Sequence, residues 1–474
     1  MKINRQTYLD KVHACWVGKN IGGTMGAPYE NIREMQDIKG FITPKGEPLG
    51  NDDLDLQLVW LCAVEERGIQ NVTPQTLAEY WLNYLPPYWN EYGYAKTNLR
   101  LGIMPPYSGE FHNEKWKHSN GAWIRTEIWA CLFPGIPELA VRHAYNDACV
   151  DHGLGEGTYA AMFVAAMQSY AFFENDVRKI IEKGLSFIPE DTRVAKTARL
   201  AIKLYDDGVA FRDAREAIVE ETKDMGWFQA PEHIAFVILG LLYGEGDYKK
   251  SMICAINCGD DTDCTGATIG ALMGIMGGTQ CIPQDWAEYI GDKIVSVALD
   301  LSYVYLAKSC TEITQRIHNL VPASLMAYGI YTEYTDGDTE LEYDLKAMER
   351  RNPFWEIPST GLSVNFPDAV IFKARVELDK YKIKPFETVT LKFVVHNTTN
   401  DQKRVVARVM LPDGWTSDKS TAAVYIDEMY RREIGIAEIK VTAGENVDSM
   451  NKIYAELSVH GRPTTAIMPI WIEG

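Results

Sequence analysis

The stretch Cys258–Gly278, CGDDTDCTGATIGALMGIMGG, joins a dense acidic cluster to a helix whose composition suits only deep burial. Asp260, Asp261 and Asp263 crowd its start, and Gly266, Gly270, Gly274 and Gly278 recur at every fourth position, with Ile269, Leu272, Met273 and Met276 between them. Each interior glycine costs about 1 kcal/mol against alanine. A helix that accepts several does so because another backbone packs against its bare face. That places this helix at the centre of a helical domain.

One aspartate would be enough to cap such a helix and to favour the positive end of its dipole. Three within four positions repel one another, so either a cation offsets the repulsion or a carboxyl keeps its proton above the ordinary range. A second cluster, Gly50-Asn51-Asp52-Asp53-Leu54-Asp55, precedes Leu56, Leu58, Val59, Leu61 and Cys62 at helical spacing. Asn51 is its predicted N-cap. Neither cluster is an EF-hand: counted from Asp53, the glycine position of the calcium loop falls on Leu58, and counted from Asp261 the terminal glutamate position falls on Leu272. One site assembled from both clusters is therefore expected, and oxygen ligands favour Mg²⁺, Mn²⁺ or Ca²⁺ over zinc.

A chain of 474 residues is longer than one core usually supports, so two domains are expected. The formal net charge of -18 argues against nucleic-acid and anionic-membrane partners, which are drawn by basic surfaces. The N-terminal MKINRQTYLDKVHACWVG has no apolar core of signal-peptide type, and the longest apolar run, Ile234 to Tyr243, is too short to span a bilayer. Nine cysteines without a zinc-type pairing suit a reducing compartment. A cytoplasmic protein is the expectation.

Helices are predicted over Tyr8–Gly26, Tyr159–Phe173, Val177–Leu185, Asp191–Asp206, Ala210–Met225, His233–Tyr243, Trp286 to about Leu306, and Thr311–Asn319. From Tyr80 to Trp129 the chain reads as loop-rich and aromatic, framing a cleft or packing a core with equal weight. Within it, Asn120, Gly121 and Arg125 offer an amide, a flexible backbone and a cation suited to gripping a ligand's oxygens. His152, in DACVDHGLGEG, is by itself a structural histidine; its neighbours Asp147, Asp151 and Glu156 single it out. Glu30, after the turn Gly26-Ala27-Pro28-Tyr29, is by itself either a solvated acid or part of a cleft.

Beyond Tyr331 the pattern changes. The acidic TEYTDGDTELEYD and the Pro-bounded Asn352–Pro358 separate the helices from alternating strands at Val389–Val395, Val405–Leu411 and Ile453–Val459. About seven strands fit there, which reads as an immunoglobulin-like β-sandwich. The expected organisation is an all-α domain over residues 1–335, a linker over 336–364 and the β-sandwich over 365–474.

With these motifs laid out, residues 5 to 325 resemble the ADP-ribosylglycohydrolase family, an all-α fold with a binuclear Mg²⁺ site. The family's G-x-D-x-D-T signature is similar to Gly259-Asp260-Asp261-Thr262-Asp263-Cys264, and its T-D-D element to Asn51-Asp52-Asp53. Its G-D-A-x-G-x-P-x-E opening resembles Gly22 to Glu30, and its N-G-x-x-x-R element Asn120 to Arg125. Three positions depart: Asn51 replaces a Thr or Ser ligand, Cys264 a Thr, and Gly23 an Asp.

The resemblance implies metal-dependent hydrolysis of an N- or O-glycosidic bond at a ribose-like sugar, ADP-ribosyl hydrolysis first. The implied partner is a small-molecule or protein-linked ADP-ribose-type glycoside, and the implied cofactor is one or two Mg²⁺, with Mn²⁺ as substitute. Asn51, Asp52, Asp53, Asp261, Asp263 and Thr265 would hold the metal. Glu30 would do acid/base work, Asp261 or Asp263 would bridge metal and water, and Asn120, Gly121, Arg125 and His152 would position substrate. Two alternatives stay open: a hydrolase of another furanoside or nucleoside-like glycoside, and a non-catalytic binding protein that keeps the fold.

Overall fold

A computed structural model describes residues 1–300, 305–344, 363–366, 372–397, 402–426, 434–462 and 465–474. The chain divides into two compact units, Met1–Gly102 with Pro106–Tyr343, and Asp344–Gly474 with Ile103–Pro105. The first is helical. The second is built of antiparallel sheets.

The glycine-striped helix spans Thr262–Gly277 and is buried at every position through Ile275. It runs antiparallel to the Arg5–Gly26 helix, and the two meet backbone to backbone. A Cβ added to Gly18, Gly22 or Gly26 would come well inside 3.0 Å of the carbonyl oxygens of Gly270, Gly266 and Thr262 respectively; one added to Gly274 would do the same at Ala14. Only glycine allows this approach, which is why the stripe tolerates its helix penalty. Gly278 belongs to the stripe in sequence but not in space: with φ +70° it ends the helix.

This register positions the site. Because the helices are antiparallel, the C-terminal end of the first lies beside the N-terminal end of the second, and the chain leaving Gly26 delivers Glu30 to Asp261 and Asp263. Two backbone bonds hold the exit in place, Asn31 N–H to the Asp260 carbonyl and Asp260 N–H to the Ile32 carbonyl, both 2.8 Å. The Asp52–Arg67 helix brings the other acidic cluster, capped as expected by Asn51, whose Oδ1 accepts the Asp53 N–H at 2.8 Å.

Two expectations about helical segments are corrected, and one helix was not expected. The helix expected from Trp286 to about Leu306 is only Gln284–Ile290. Gly291 ends it at φ +71°, and the Val297 and Ala298 N–H groups go to the Asp55 carboxylate rather than to a helix ladder; residues 301–304 lie outside the described residues. The loop-rich reading of Tyr80–Trp129 missed the Asn90–Arg100 helix, and its rings mostly pack core: Trp81, Trp123 and Trp129 are fully buried, while Trp89 and Tyr94 are exposed. His152 is the last residue of a helix, Pro137–His152, which was not among the expected helices because apolar residues on several faces hid it from periodicity. Among the described residues no helix is long and apolar enough to cross a membrane.

Among the described residues of the second unit, nine strands form two antiparallel sheets that fit a β-sandwich, against about seven expected. One sheet has the order 363–366, 372–378, 388–397, 434–442, 416–417, and the other 465–473, 450–459, 403–410, 421–426. Alternation along each strand sends Val376, Leu391, Phe393 and Val395 of the first sheet into one core with Val405, Ala407, Ile453, Leu457 and Ile470 of the second. The Asn352–Pro358 part of the expected linker lies outside the described residues.

Candidate metal centre

Three segments far apart in sequence bring their carboxylates to one place. Oxygens of Glu30, Asp261 and Asp263 lie within 4.8 Å of one another, and so do ligand atoms of Asp53, Asp263 and Cys264. Asp263 is common to both groups. Asp52 adjoins them, half-buried, with Oδ2 accepting the Tyr92 hydroxyl at 3.1 Å.

Capping does not account for these acids. Asp261 stands at the N-cap position of the Thr262–Gly277 helix but makes no side-chain capping bond. Its Oδ2 accepts instead from Asn120 Nδ2 at 2.6 Å, and its N–H donates to His233 Nε2 at 3.2 Å. Asp263 Oδ1 is buried and accepts no hydrogen bond; Asp53 Oδ2 accepts none either but faces the Lys19 ammonium at 3.6 Å. A buried carboxylate oxygen left in this state carries a substantial desolvation penalty unless something positive faces it.

The charges feel one another. Burial, then Asp263 and Asp55, push Asp52 up to about 7. Burial, then Asp263, raise Asp261 well above the usual carboxylate range. Asp53 is raised as well, chiefly by burial, against the lowering pull of Lys19. Glu30 reaches solvent, yet the protein wall on its inner side and then Asp263, Asp52 and Asp260 push it up to about 8. Clustered acids with depleted hydration and orphan oxygens fit a divalent cation taken by hard ligands.

Two acids of the sequence clusters are occupied elsewhere. Asp260, held at φ +63°, directs its carboxylate to Arg33 Nε and His233 Nε2, both 3.6 Å, and to the Phe228 N–H. Asp55 accepts from the Val297 and Ala298 N–H groups at 2.7 and 2.6 Å.

The expected substrate-positioning residues lie behind this cluster. Asn120 is buried and ties Asp261 to Trp123, whose Nε1 donates to Asn120 Oδ1 at 3.0 Å. Arg125 has no exposed surface. Its Nε meets Asp147 at 3.0 Å, its Nη2 meets Asp151 at 2.7 Å, and Nη1 also donates to the Gly121 carbonyl. His152 is equally buried, between Asp151 Oδ1 at 3.0 Å and Ser119 Oγ at 3.1 Å. Gly121 has no room for a side chain, since a Cβ would strike Glu91. Thr265 Oγ1 donates to the Asp261 and Thr262 carbonyls at 3.2 Å, so its hydroxyl proton is engaged by its own helix.

Residues 4–315 match the family model described as ADP-ribosylglycohydrolase. The chain belongs to this family. No curated protein matches it in sequence. The helical unit thus has the ADP-ribosylglycohydrolase fold, and the β-sandwich follows the matched region.

Two of the departures from the ADP-ribosylglycohydrolase motifs are linked in space. A Cβ on Gly23 would overlap Asn51 Nδ2, so the amide at 51 occupies the room that a side chain at 23 would need. That Nδ2 is buried without a hydrogen-bond partner. Motif reading also missed a buried network beneath Asp53. Lys19, with no exposed surface, lies 3.6 Å from Asp53 Oδ2 and 3.1 Å from Glu127 Oε1, and donates to the Ile124 carbonyl at 2.6 Å. Gln57 and Gln168 each donate to Glu127 at 2.8 Å. The one available signal was a lysine standing between Gly18 and Gly22 on a small-residue helix.

Proposed function

We propose that the chain is a metal-dependent glycosidase that hydrolyses an N- or O-glycosidic bond at a ribose-like sugar, with ADP-ribosyl hydrolysis its foremost activity. The observation that carries this reading is the meeting of Glu30, Asp53, Asp261 and Asp263, with Asp52 near enough to feel Asp263, Asp263 Oδ1 left unpaired and only Glu30 exposed. Family membership supports a glycosyl hydrolase.

Asp261 and Asp263 would hold the cation, Mg²⁺ first and Mn²⁺ second, with Asp52 and Asp53 facing the same centre. Bound there, it would supply Lewis acidity toward the sugar hydroxyls and a water. Asn120 holds Asp261 in one rotamer, and Arg125, through Gly121 and Asp151, braces the segment that carries Asn120. With the charge of Asp263 and Asp52 offset by the cation, Glu30 at the exposed edge is ionised and takes a proton from the attacking water, whose oxygen bonds to the anomeric carbon. The bond from that carbon to the leaving nitrogen or oxygen breaks, the leaving group takes up a proton from solvent, and Glu30 returns its proton to solvent. A cytoplasmic setting is supported by nine cysteines that are all free thiols.

The test is hydrolysis of an ADP-ribosylated protein and of a panel of furanosides, with and without Mg²⁺. Metal-dependent release of ADP-ribose, reduced about 10²–10⁴-fold in Glu30→Gln, is expected. Release that ignores both metal and Glu30 would overturn the reading. A second reading, cleavage of another furanoside or nucleoside-like glycoside, is favoured by the complete burial of Arg125, which leaves that cation no surface for a pyrophosphate. Cleavage of a simple furanoside without ADP-ribose binding selects it.

A further inference from the structure

The two groups of ligand atoms that share Asp263 are chemically unequal. In the first, Glu30, Asp261 and Asp263 present only carboxylate oxygens, and Asp263 Oδ1 is buried without a partner. The second, Asp53, Asp263 and Cys264, contains a thiol whose Sγ lies 3.5 Å from Asp53 Oδ1 as donor. Lys19 backs the other oxygen of Asp53 at 3.6 Å.

That ammonium is held in place. Its remaining hydrogens are engaged by the Ile124 carbonyl and Glu127, and Glu127 is itself held by Gln57 and Gln168. A divalent ion on Asp53 would therefore meet a fixed positive charge in a buried setting, where such repulsion is poorly screened. It would also meet a soft sulfur where a hard cation requires oxygen.

We propose that the centre takes one divalent cation, on the Glu30–Asp261–Asp263 side, and that Lys19 with Cys264 closes the Asp53 side to a second. Lys19 is then a built-in cation, standing in for part of the charge that a second ion would bring. This inference rests on the metal-dependent reading above.

The experiment is titration of the full chain, stripped with chelator, with Mn²⁺, read by calorimetric stoichiometry and by low-temperature electron paramagnetic resonance. One ion per chain with an isolated six-line spectrum is expected. Two ions per chain with a spin-coupled spectrum would overturn this inference and leave the metal-dependent reading standing; no ion at all would overturn both. Removing both halves of the buried Lys19–Glu127 pair, Lys19→Met with Glu127→Gln, leaves Asp53 without its ammonium partner and should raise the capacity to two ions. A double variant that still takes one would show that Lys19 does not set the number.

Discussion

Gly22 and Gly266 face each other across the central antiparallel helix pair so closely that a side-chain carbon on either would overlap the other's carbonyl. The contact lies between the two parts of the candidate centre, eight residues before Glu30 and three after Asp263. Gly22→Ala should therefore destabilise the protein by about 3 kcal/mol, the upper part of the range for overpacking, because the obstacle is backbone and cannot rotate away. Separating the helices should also weaken Mn²⁺ binding. Chemical denaturation and calorimetry check both, and an unchanged denaturation midpoint would refute the packing argument.

Without metal, the acids make the fold sensitive to alkali. Carboxyls whose pKa is raised on folding bind protons that the unfolded chain releases. Their contribution is fully present below about pH 4 and is lost as pH rises through the folded values, about 6 for Asp55, 7 for Asp52 and 8 for Glu30. The melting temperature of chelator-treated protein should fall between pH 5 and pH 8.5. Saturating Mg²⁺ should flatten or reverse that slope, and a flat profile without metal would contradict the crowding of charge.

Arg125 lies between two buried carboxylates with no solvent to replace it. Its removal in Arg125→Ala strands Asp147 and Asp151 and should cost about 3–5 kcal/mol of stability. Arg125→Lys should also be damaging, since one ammonium cannot serve both carboxylates and the Gly121 carbonyl. Denaturation midpoints decide. A variant as stable as the wild type that merely loses a ligand would return Arg125 to the binding surface.

The two acidic clusters should behave as one in metal binding. Asp52→Asn and Asp261→Asn should each lower Mn²⁺ affinity, and the double variant should lose less than the sum of the single losses. Additive losses measured by titration calorimetry would mean separate sites.

Much of this was legible in the chain, because the relevant signals are local. Glycines at every fourth position declare a face that another backbone must cover, and alternation over Ile453–Val459 declares a strand with one buried face. Acids repeated beyond the needs of a cap mark Asp52, Asp53, Asp261 and Asp263 without any knowledge of what surrounds them. The nearly all-buried helix Pro137–His152 escaped, since apolar residues on several faces leave no stripe to read.

The sequence by itself determined which residues carry charge at helix starts, since that depends on neighbours a few positions away. Only the tertiary structure decided what each charge faces. It paired Arg125 with Asp147 and Asp151, turned Asp260 toward Arg33 and Asp55 toward a loop, and set Lys19 beneath Asp53. These partners lie from 22 residues to more than two hundred residues apart in the chain, and electrostatic energy depends on separation in space and on exclusion of water, neither of which is written in residue order.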